Sequence, residues 1–139
     1  MNLSPTAVAL LGLVAWTLLL LFLIINQRGL LVLGGRMRVN AFAPDGSNTP
    51  SAFGQRVIRA HANSLENLPL QAAVLLYALQ AGQTAITDPL ACVLLGARIF
   101  QSLAHLISTS ALFVWLRFAG LLVQMLVLAW WLLRLSGLV

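Results

Sequence analysis

A narrow polar stripe opens one of the apolar segments of this sequence, in the run RVIRAHANSLENLPLQ at residues 56–71. At about 100° per residue, four of its side chains fall within an arc of roughly 80° and about 15 Å of helix axis: Arg56, Arg59, Asn63 and Glu66. His61 points to the opposite side of that helix. An unpaired charge at the bilayer centre costs about 2.5–3.5 kcal/mol on insertion scales. The stripe is therefore expected to face other helices or a water-filled cleft.

A second polar face is predicted on the segment that contains residues 98–109. Six polar side chains there fall within about 120° of one helix face: Arg98, Gln101, Ser102, His105, Ser108 and Thr109. The last apolar segment adds Arg117 near its start, with Gln124 two turns further along the same face. We therefore expect three helices to bring polar sides to the same half of the protein.

The charges on these faces are unequal. Glu66 is the only acid among them, and it faces four basic side chains: Arg56, Arg59, Arg98 and Arg117. This excess of positive charge favours an anionic ligand, because the planar guanidinium group forms bidentate hydrogen bonds with carboxylates. The alternative is a salt bridge within the bundle, between Arg59 and Glu66 or a neighbour, that only orients the helices.

Other chemistries have little support in the sequence. His61 and His105 lie on different predicted helices and Cys92 is the only cysteine, so neither a metal site nor a disulfide framework is predicted. A serine–histidine–acid site lacks its acid, and Gly34-Gly35 is an isolated pair rather than a phosphate-binding loop. The net charge of +5 does not indicate nucleic acid, because most arginines lie at helix ends or inside apolar runs.

The elements that carry these residues are predicted to be membrane helices. Of the 139 residues, 60% are hydrophobic and 8% are charged, whereas a soluble domain usually carries about 25% charged residues. We therefore expect an all-α integral membrane protein, a bundle of four transmembrane helices in a single domain over residues 1–139. The apolar runs place the helices at about residues 5–34, 55–80, 89–112 and 116–138.

One substantial loop is expected, at residues 39–54, where Pro, Gly, Ser and Asn are frequent. Arg36 and Arg38 precede this loop and Arg56 and Arg59 follow it, while the N-terminus and the second connection contain no basic residue. The positive-inside bias therefore places the loop in the cytoplasm and both termini on the opposite side of the membrane.

These motifs resemble the MAPEG family, the membrane-associated proteins of eicosanoid and glutathione metabolism. The run at residues 56–71 is similar to the family signature Arg-x-x-Arg-Ala-His-x-Asn-x-x-Glu at the start of the second helix. RMRVNAFAP, at residues 36–44, resembles the end of the first helix in the prostaglandin E synthase branch. GARIFQSLAHL, at residues 96–106, and Arg117 are similar to the third helix and the start of the fourth. The resemblance extends over essentially the whole chain.

The resemblance implies a homotrimer of four-helix protomers that binds glutathione, the co-substrate, in clefts between neighbouring protomers. Matched residue by residue, it implies that the following side chains bind glutathione or lie near it: Arg36, Arg56, Arg59, Asn63, Glu66, Arg98, Gln101 and His105. It also implies that Arg117 is catalytic and stabilises the glutathione thiolate, because a nearby cation lowers a thiol pKa from its usual value of about 8.5. The thiolate would then attack a lipophilic electrophile arriving from the bilayer.

A few positions depart from the family pattern. Ala62 stands where many members have a further arginine, Gln101 and His105 stand where the prostaglandin branch has His and Tyr, and Phe118 replaces a serine of some members. The leading hypothesis is a glutathione-dependent membrane transferase or peroxidase acting on lipophilic electrophiles. A non-catalytic lipid-binding or scaffolding protein of the same fold is the first alternative, and a small proton-coupled exporter built around Glu66 is the second. The expected partners are further copies of the chain, a lipophilic small molecule and membrane lipid, without nucleic acid.

Overall fold

The computed structural model describes residues 3–139, which form four α-helices. The helices, in chain order, are α1 Pro5–Leu33, α2 Ala52–Gln80, α3 Thr84–Ile107 and α4 Ala111–Leu135. No strand occurs in the described residues, and the predicted all-α class is confirmed. The shortest helix has 24 residues, which at about 1.5 Å per residue is enough to cross a hydrocarbon core of about 30 Å.

Three of the helices, α1, α3 and α4, are long and apolar enough to span a membrane. The same criterion does not select α2, because charged and amide side chains are spread along it from Gln55 to Gln71. The protein is thus a membrane protein with three candidate spans. The fourth span and the side of the membrane that loop 39–54 faces stay predictions.

The bounds of α1 agree closely with those predicted. Ser4 Oγ accepts a hydrogen bond from the Ala7 amide at 3.2 Å, and Pro5 occupies the first helical position. The helix ends where Gly35 adopts a φ of +67°, a conformation that only glycine adopts easily. The chain turns there, and the Arg36 amide bonds back to the last turn of α1.

The start of α2 lies three residues earlier than predicted, at Ala52 instead of residue 55. The cause is a cap, because Ser51 Oγ accepts a hydrogen bond from the Gly54 amide at 2.9 Å. Gly54 also lies where α1, the loop and α2 meet. A Cβ at this position would lie 2.6 Å from Gln27 Oε1 and 2.7 Å from Thr49 Cγ2, so a larger residue would displace these side chains.

The predicted bounds of α3, residues 89–112, are wrong at both ends. The connection from α2 turns at Gly82, which has a φ of +68°, so that α3 already begins at Thr84. Pro89 therefore lies in the second turn of the helix instead of opening it, where it removes a single backbone donor. At the other end, α3 stops at Ile107.

The connection from α3 to α4 consists of residues 108–110. Ser108 has an extended backbone, and its hydroxyl accepts a hydrogen bond from the Ser110 amide at 3.1 Å. This local bond competes with the helical pattern. Ser108 and Thr109 are therefore not on the polar face of α3, and α4 runs from Ala111 to Leu135 instead of over residues 116–138.

The loop between α1 and α2 is folded on itself and anchored to α1. The Ala43 amide donates to Asn48 Oδ1 at 2.9 Å, and Arg28 of α1 donates to the Ala43 carbonyl at 3.3 Å. The Ser47 amide donates to Asp45 Oδ1 at 3.0 Å, and this bond lowers the pKa of the Asp45 carboxyl. Asp45 thus forms its hydrogen bond within the loop.

The bundle is divided along its length into an apolar half and a polar half. α1 packs on α2 and α3, and α3 packs on α4, whereas α2 and α4 make little contact. The apolar half, nearest the start of α1 and the end of α4, contains the hydrophobic core: Ala9, Leu13, Val74, Leu75, Ala91, Leu94, Val127 and Trp131. At this end, Asp88 Oδ1 of α3 accepts from the Thr6 amide at 2.9 Å and joins α3 to the first turn of α1. The candidate site residues lie in the opposite half, next to the loop.

Candidate anion-binding site

Arg98 is a buried charge in the polar half of the bundle. Its side chain is 1% exposed, and its Nη1 donates to Asn63 Oδ1 at 2.9 Å. Its Nε and Nη2 have no hydrogen-bond partner within residues 3–139. A buried cation without a carboxylate is unfavourable. The fold thus brings two predicted site residues of α2 and α3 together around a guanidinium group that still has donors to offer.

Arg117 and His105 meet where α3 ends and α4 begins. Arg117 Nη1 and His105 Nδ1 are 3.2 Å apart, and Arg117 Nε donates to the Phe113 carbonyl one turn earlier at 3.1 Å. Arg98 lies two turns before His105 on the same face of α3. Side chains of α3 and α4 therefore meet at this point, and a common site with the polar face of α2 stays a prediction.

Arg56 joins the start of α2 to the end of α3. Its Nε donates to the Leu106 carbonyl at 2.8 Å, and its guanidinium carbon lies 5.8 Å from the centre of the Phe53 ring. The last carbonyls of a helix have no partner within the helix. Arg56 thus caps the end of α3 beside His105, and a contact with a ligand stays a prediction for this residue.

Arg59 and Glu66 lie on the exposed face of α2. In the part of the chain that the structure describes, neither forms an ion pair with the other or with any further charged group. The alternative of a salt bridge within the bundle is therefore wrong for this protomer. Charged side chains that face lipid are costly, so a ligand, water or a second copy of the chain is expected to cover them.

Arg36 lies just beyond α1 and is exposed. It lines a cleft of about 440 Å³ between the end of α1 and the start of α2, to which Gln27 and Ser51 contribute polar groups. Over residues 3–139, no hydrogen bond joins Arg36 to another predicted site residue. A single protomer thus leaves Arg36 apart from the hydrogen bonds of the other arginines.

Gln101 belongs to a buried chain of side-chain amides. Gln71 Nε2 donates to Gln124 Oε1 at 2.8 Å, and Gln124 Nε2 donates to Gln101 Oε1 at 2.9 Å. The three side chains are buried and link α2, α4 and α3. The Gln101 oxygen is therefore occupied within the protomer, and its contact with a ligand stays a prediction.

Gly120 allows α4 to approach α3 closely beside this chain of amides. A Cβ at Gly120 would lie 3.0 Å from Gln101 Cβ and 3.3 Å from the Ala97 carbonyl oxygen. Small residues at helix contacts let membrane helices approach each other in this way. The glycine therefore keeps α3 and α4 at a separation that the Gln124 side chain can bridge.

Sequence reasoning missed Gln71 and Ser64, two buried polar residues of α2. Ser64 Oγ lies 3.4 Å from Ser102 Oγ of α3. A signal was present, because Val57, Ser64, Gln71 and Ala78 follow each other at intervals of seven residues and are all buried. This spacing is typical of a helix side that packs into a bundle.

The remaining nucleophilic and metal-binding side chains are dispersed. In residues 3–139, no three His, Cys, Asp or Glu side chains form a group that could hold a metal ion. Cys92 is exposed, and Asp88 bonds to Thr6 in the apolar half. The arrangement therefore supports one chemistry best, the binding of an anion by guanidinium groups.

Comparison with known proteins supplies the family. The profile of the MAPEG family matches residues 6–137, nearly the whole chain. No curated protein and no solved structure gives a match. The profile match covers the arginine motif of α2, the buried Arg98 of α3 and Arg117 of α4. The chain therefore belongs to the MAPEG family.

Proposed function

We propose that the protein is a glutathione-dependent membrane transferase or peroxidase that acts on lipophilic electrophiles. One observation carries this proposal: two guanidinium groups of the polar half offer free donors without a carboxylate partner, that of Arg98, which is buried with two unbonded nitrogens in residues 3–139, and that of Arg117, which bonds to His105. No carboxylate in residues 3–139 pairs with them. Cations that lack an internal counter-ion are suited to bind an anion. The family includes glutathione-dependent transferases, and glutathione is an anion with two carboxylates.

The binding of glutathione would use both signs of charge on α2. Its two carboxylates provide acceptors for guanidinium groups, among them those of Arg36 and Arg59, while its ammonium group provides a partner for Glu66. Asn63 is already oriented by the hydrogen bond from Arg98. Carboxylates prefer the paired donors of arginine to a single donor, which agrees with a chain whose eight basic residues are all arginines.

Arg117 would stabilise the glutathione thiolate. A thiol has a pKa of about 8.5, and a nearby cation lowers it, so that the nucleophile forms at neutral pH. In conjugation, the sulfur forms a bond to the electrophilic carbon, the leaving group departs with its electron pair, and the thiol proton passes to water. In the peroxidase reaction, two glutathione molecules reduce a lipid hydroperoxide to the alcohol and water and become the disulfide.

The lipophilic substrate would approach from the bilayer. An apolar groove of about 490 Å³ runs between α2 and α4 and is lined by side chains such as Leu70, Met125 and Leu128. Asn67, which follows Glu66 in the sequence, also lines this groove. α2 thus contributes both to the apolar groove and to the charged stripe, and a reaction between a water-soluble thiol and a membrane-dissolved electrophile requires both kinds of surface.

We further propose that the active form is a homotrimer with glutathione bound between protomers. Two features support an assembly, the exposed charges of Arg59 and Glu66 on a membrane helix and the separation of Arg36 from the other arginines. A neighbouring protomer could supply its own Arg36 to the site. The mass of the detergent-solubilised protein, measured by light scattering with correction for detergent, would test the trimer independently of activity.

Binding of glutathione is tested by isothermal titration calorimetry of the purified protein in detergent. Saturable binding that is lost in Arg59→Ala supports the proposal. Cys92→Ser is the matched control, because Cys92 is exposed on α3 and outside the site, and it should bind as the wild type does. An absence of saturable heat in the wild type would overturn the proposal.

That absence would favour the alternative, a non-catalytic lipid-binding or scaffolding member of the family. One observation speaks for it: the amide oxygen of Gln101 is already engaged by Gln124. Ala62 also favours this alternative, since many family members have an additional arginine at this position and alanine lacks its guanidinium group. Saturable binding of a spin-labelled fatty acid without binding of glutathione would identify this alternative.

A further inference from the structure

The bond between Arg117 and His105 fixes the state of the imidazole. A guanidinium group has only donors, so Nδ1 of His105 must accept the hydrogen bond from Arg117 Nη1 at 3.2 Å. The ring proton is then on Nε2, and the imidazole is neutral. A protonated His105 would have no acceptor left and could not form this bond.

The surroundings of His105 are uniformly positive. Arg117 of α4 bonds to it, and Arg56 of α2 bonds to the carbonyl of the next residue, Leu106. Arg98 lies two turns earlier on the same face of α3, and Arg59 follows Arg56 by one turn on α2. Within residues 3–139, no carboxylate forms an ion pair with any of these groups. Protonation of His105 would therefore add a positive charge beside Arg117 and remove the bond that holds it.

The side chain of Arg117 is held at two points. Nε bonds to the Phe113 carbonyl of its own helix, which fixes the stem, and Nη1 bonds to His105 of α3, which fixes the plane of the guanidinium group. Without His105, the group could rotate about the first contact. The second contact therefore decides where the remaining N–H groups point.

We propose that His105 is a positioning residue that, as a neutral imidazole, orients the guanidinium group of Arg117 toward the sulfur of bound glutathione. This inference rests on the proposed function. His105 acts through Arg117 and not on glutathione itself, which differs from the contact with glutathione that the family resemblance implies. Acidification would release Arg117 and slow the reaction.

Two substitutions separate positioning from contact. His105→Leu removes the acceptor, and conjugation of an aryl halide should lose about tenfold or more in kcat, the effect of losing one hydrogen bond to a charged group, while the KM for glutathione stays within about twofold. His105→Asn keeps an oxygen acceptor near the position of Nδ1 and should recover most of the lost kcat. Leu103→Ala, an exposed position of the same helix, is the control and should leave kcat unchanged.

The pH dependence adds a signature that a purely structural role would not produce. Wild type needs both a deprotonated thiol and a neutral His105, whereas His105→Asn needs the thiolate alone. The ratio of kcat between wild type and His105→Asn should therefore fall as the pH is lowered. A ratio that stays constant while the pH is lowered until the His105 ring is protonated, or a variant His105→Leu that raises KM and leaves kcat intact, would overturn the inference.

A measurement without substrate distinguishes a failure of this inference from a failure of the proposed function. The chain has two histidines, so nitrogen NMR of ¹⁵N-histidine protein in micelles, assigned with His61→Gln, reports the protonation of each ring nitrogen of His105. We expect an unprotonated Nδ1 at neutral pH, with a resonance that shifts in Arg117→Leu. A Nδ1-protonated or charged ring overturns the positioning role, whatever the calorimetry shows for glutathione.

Discussion

At the scale of single residues, Arg98 affects both the stability of the bundle and the proposed binding of glutathione. Its guanidinium group is buried, bonds to Asn63 and has two nitrogens without a partner in residues 3–139. A buried charge without a charged partner carries a desolvation cost that no ion pair offsets, and an apolar side chain of similar length does not carry this cost. We therefore expect the melting temperature of Arg98→Met, measured in detergent by circular dichroism, to equal or exceed that of the wild type.

Glutathione binding should respond in the opposite way to the same substitution. Asn63 would lose the donor that fixes its amide, and the dissociation constant for glutathione should rise about tenfold. The double variant Asn63→Leu with Arg98→Met should bind no more weakly than the weaker single variant, because the two residues act as one unit. Additive losses in the double variant would show that Arg98 acts independently of Asn63.

Glu66 is the acid of the exposed stripe, and its proposed partner is the ammonium group of glutathione. Glu66→Gln removes the negative charge while keeping the size of the side chain, so the KM for glutathione should rise on the order of tenfold. The kcat should stay nearly constant, since the interaction is made equally in the ground state and the transition state.

A modified ligand supplies the control for Glu66. N-acetylglutathione lacks the positive charge, so the wild type and Glu66→Gln should bind it with the same affinity in calorimetry. If Glu66→Gln weakens both ligands equally, then Glu66 has a structural role and the assignment of the ammonium partner is wrong.

At the scale of helices, the chain of three glutamines ties α2, α4 and α3 together. Gln124→Leu leaves Gln71 Nε2 and Gln101 Oε1 buried without partners. The expected loss of stability is about 1 kcal/mol per unsatisfied group, seen as a lower melting temperature in detergent. Met125→Leu, at the exposed neighbouring position, should leave the melting temperature unchanged.

The triple variant with leucine at all three glutamine positions completes this test. It leaves no unsatisfied amide, so its melting temperature should lie above that of Gln124→Leu. Polar partners that are removed together cost less than one partner removed alone. A triple variant less stable than Gln124→Leu would show that packing volume, and not hydrogen bonding, decides the stability at these positions.

Helix positions could be predicted from the sequence more reliably than helix ends. The apolar runs and the loop signals indicate all four helices, but they place Pro89 in the first turn of α3, whereas it lies in the second turn, and they place Ser108 inside a helix that ends at Ile107. Proline is tolerated beyond the first turn where few carbonyls lose a donor. The end at Ile107 depends on a local bond between Ser108 and Ser110, which hydropathy does not reveal.

The same limit applies to the site. The meeting of Arg56, His105 and Arg117 near the end of α3 could be predicted, because charged side chains of membrane helices are expected to face the interior of the bundle. Whether a given amide faces the ligand or another amide depends on how close two helices lie. Gly120 sets that distance for Gln101 and Gln124, and a glycine within an apolar run gives no such indication in the sequence.

At the scale of the whole molecule, the bundle combines an apolar half and a polar half. The apolar half is packed around residues such as Leu75 and Trp131, and it holds the helices so that their other ends can carry charges. The polar half contains buried Arg98 and half-buried Arg117, together with charges of α2 that are exposed in a single protomer. Assembly into a trimer would enclose these charges, which is why we expect binding and assembly to be linked.

The central claim, that Arg117 stabilises the glutathione thiolate, is tested most directly by ultraviolet difference spectroscopy at neutral pH. Glutathione is titrated into the wild type and into Arg117→Leu, and the thiolate absorbance is recorded. We predict an absorbance that saturates with glutathione in the wild type and is absent in Arg117→Leu, although calorimetry shows that this variant still binds glutathione. Equal thiolate absorbance in both proteins would contradict the account, as would bound glutathione that remains a thiol in the wild type.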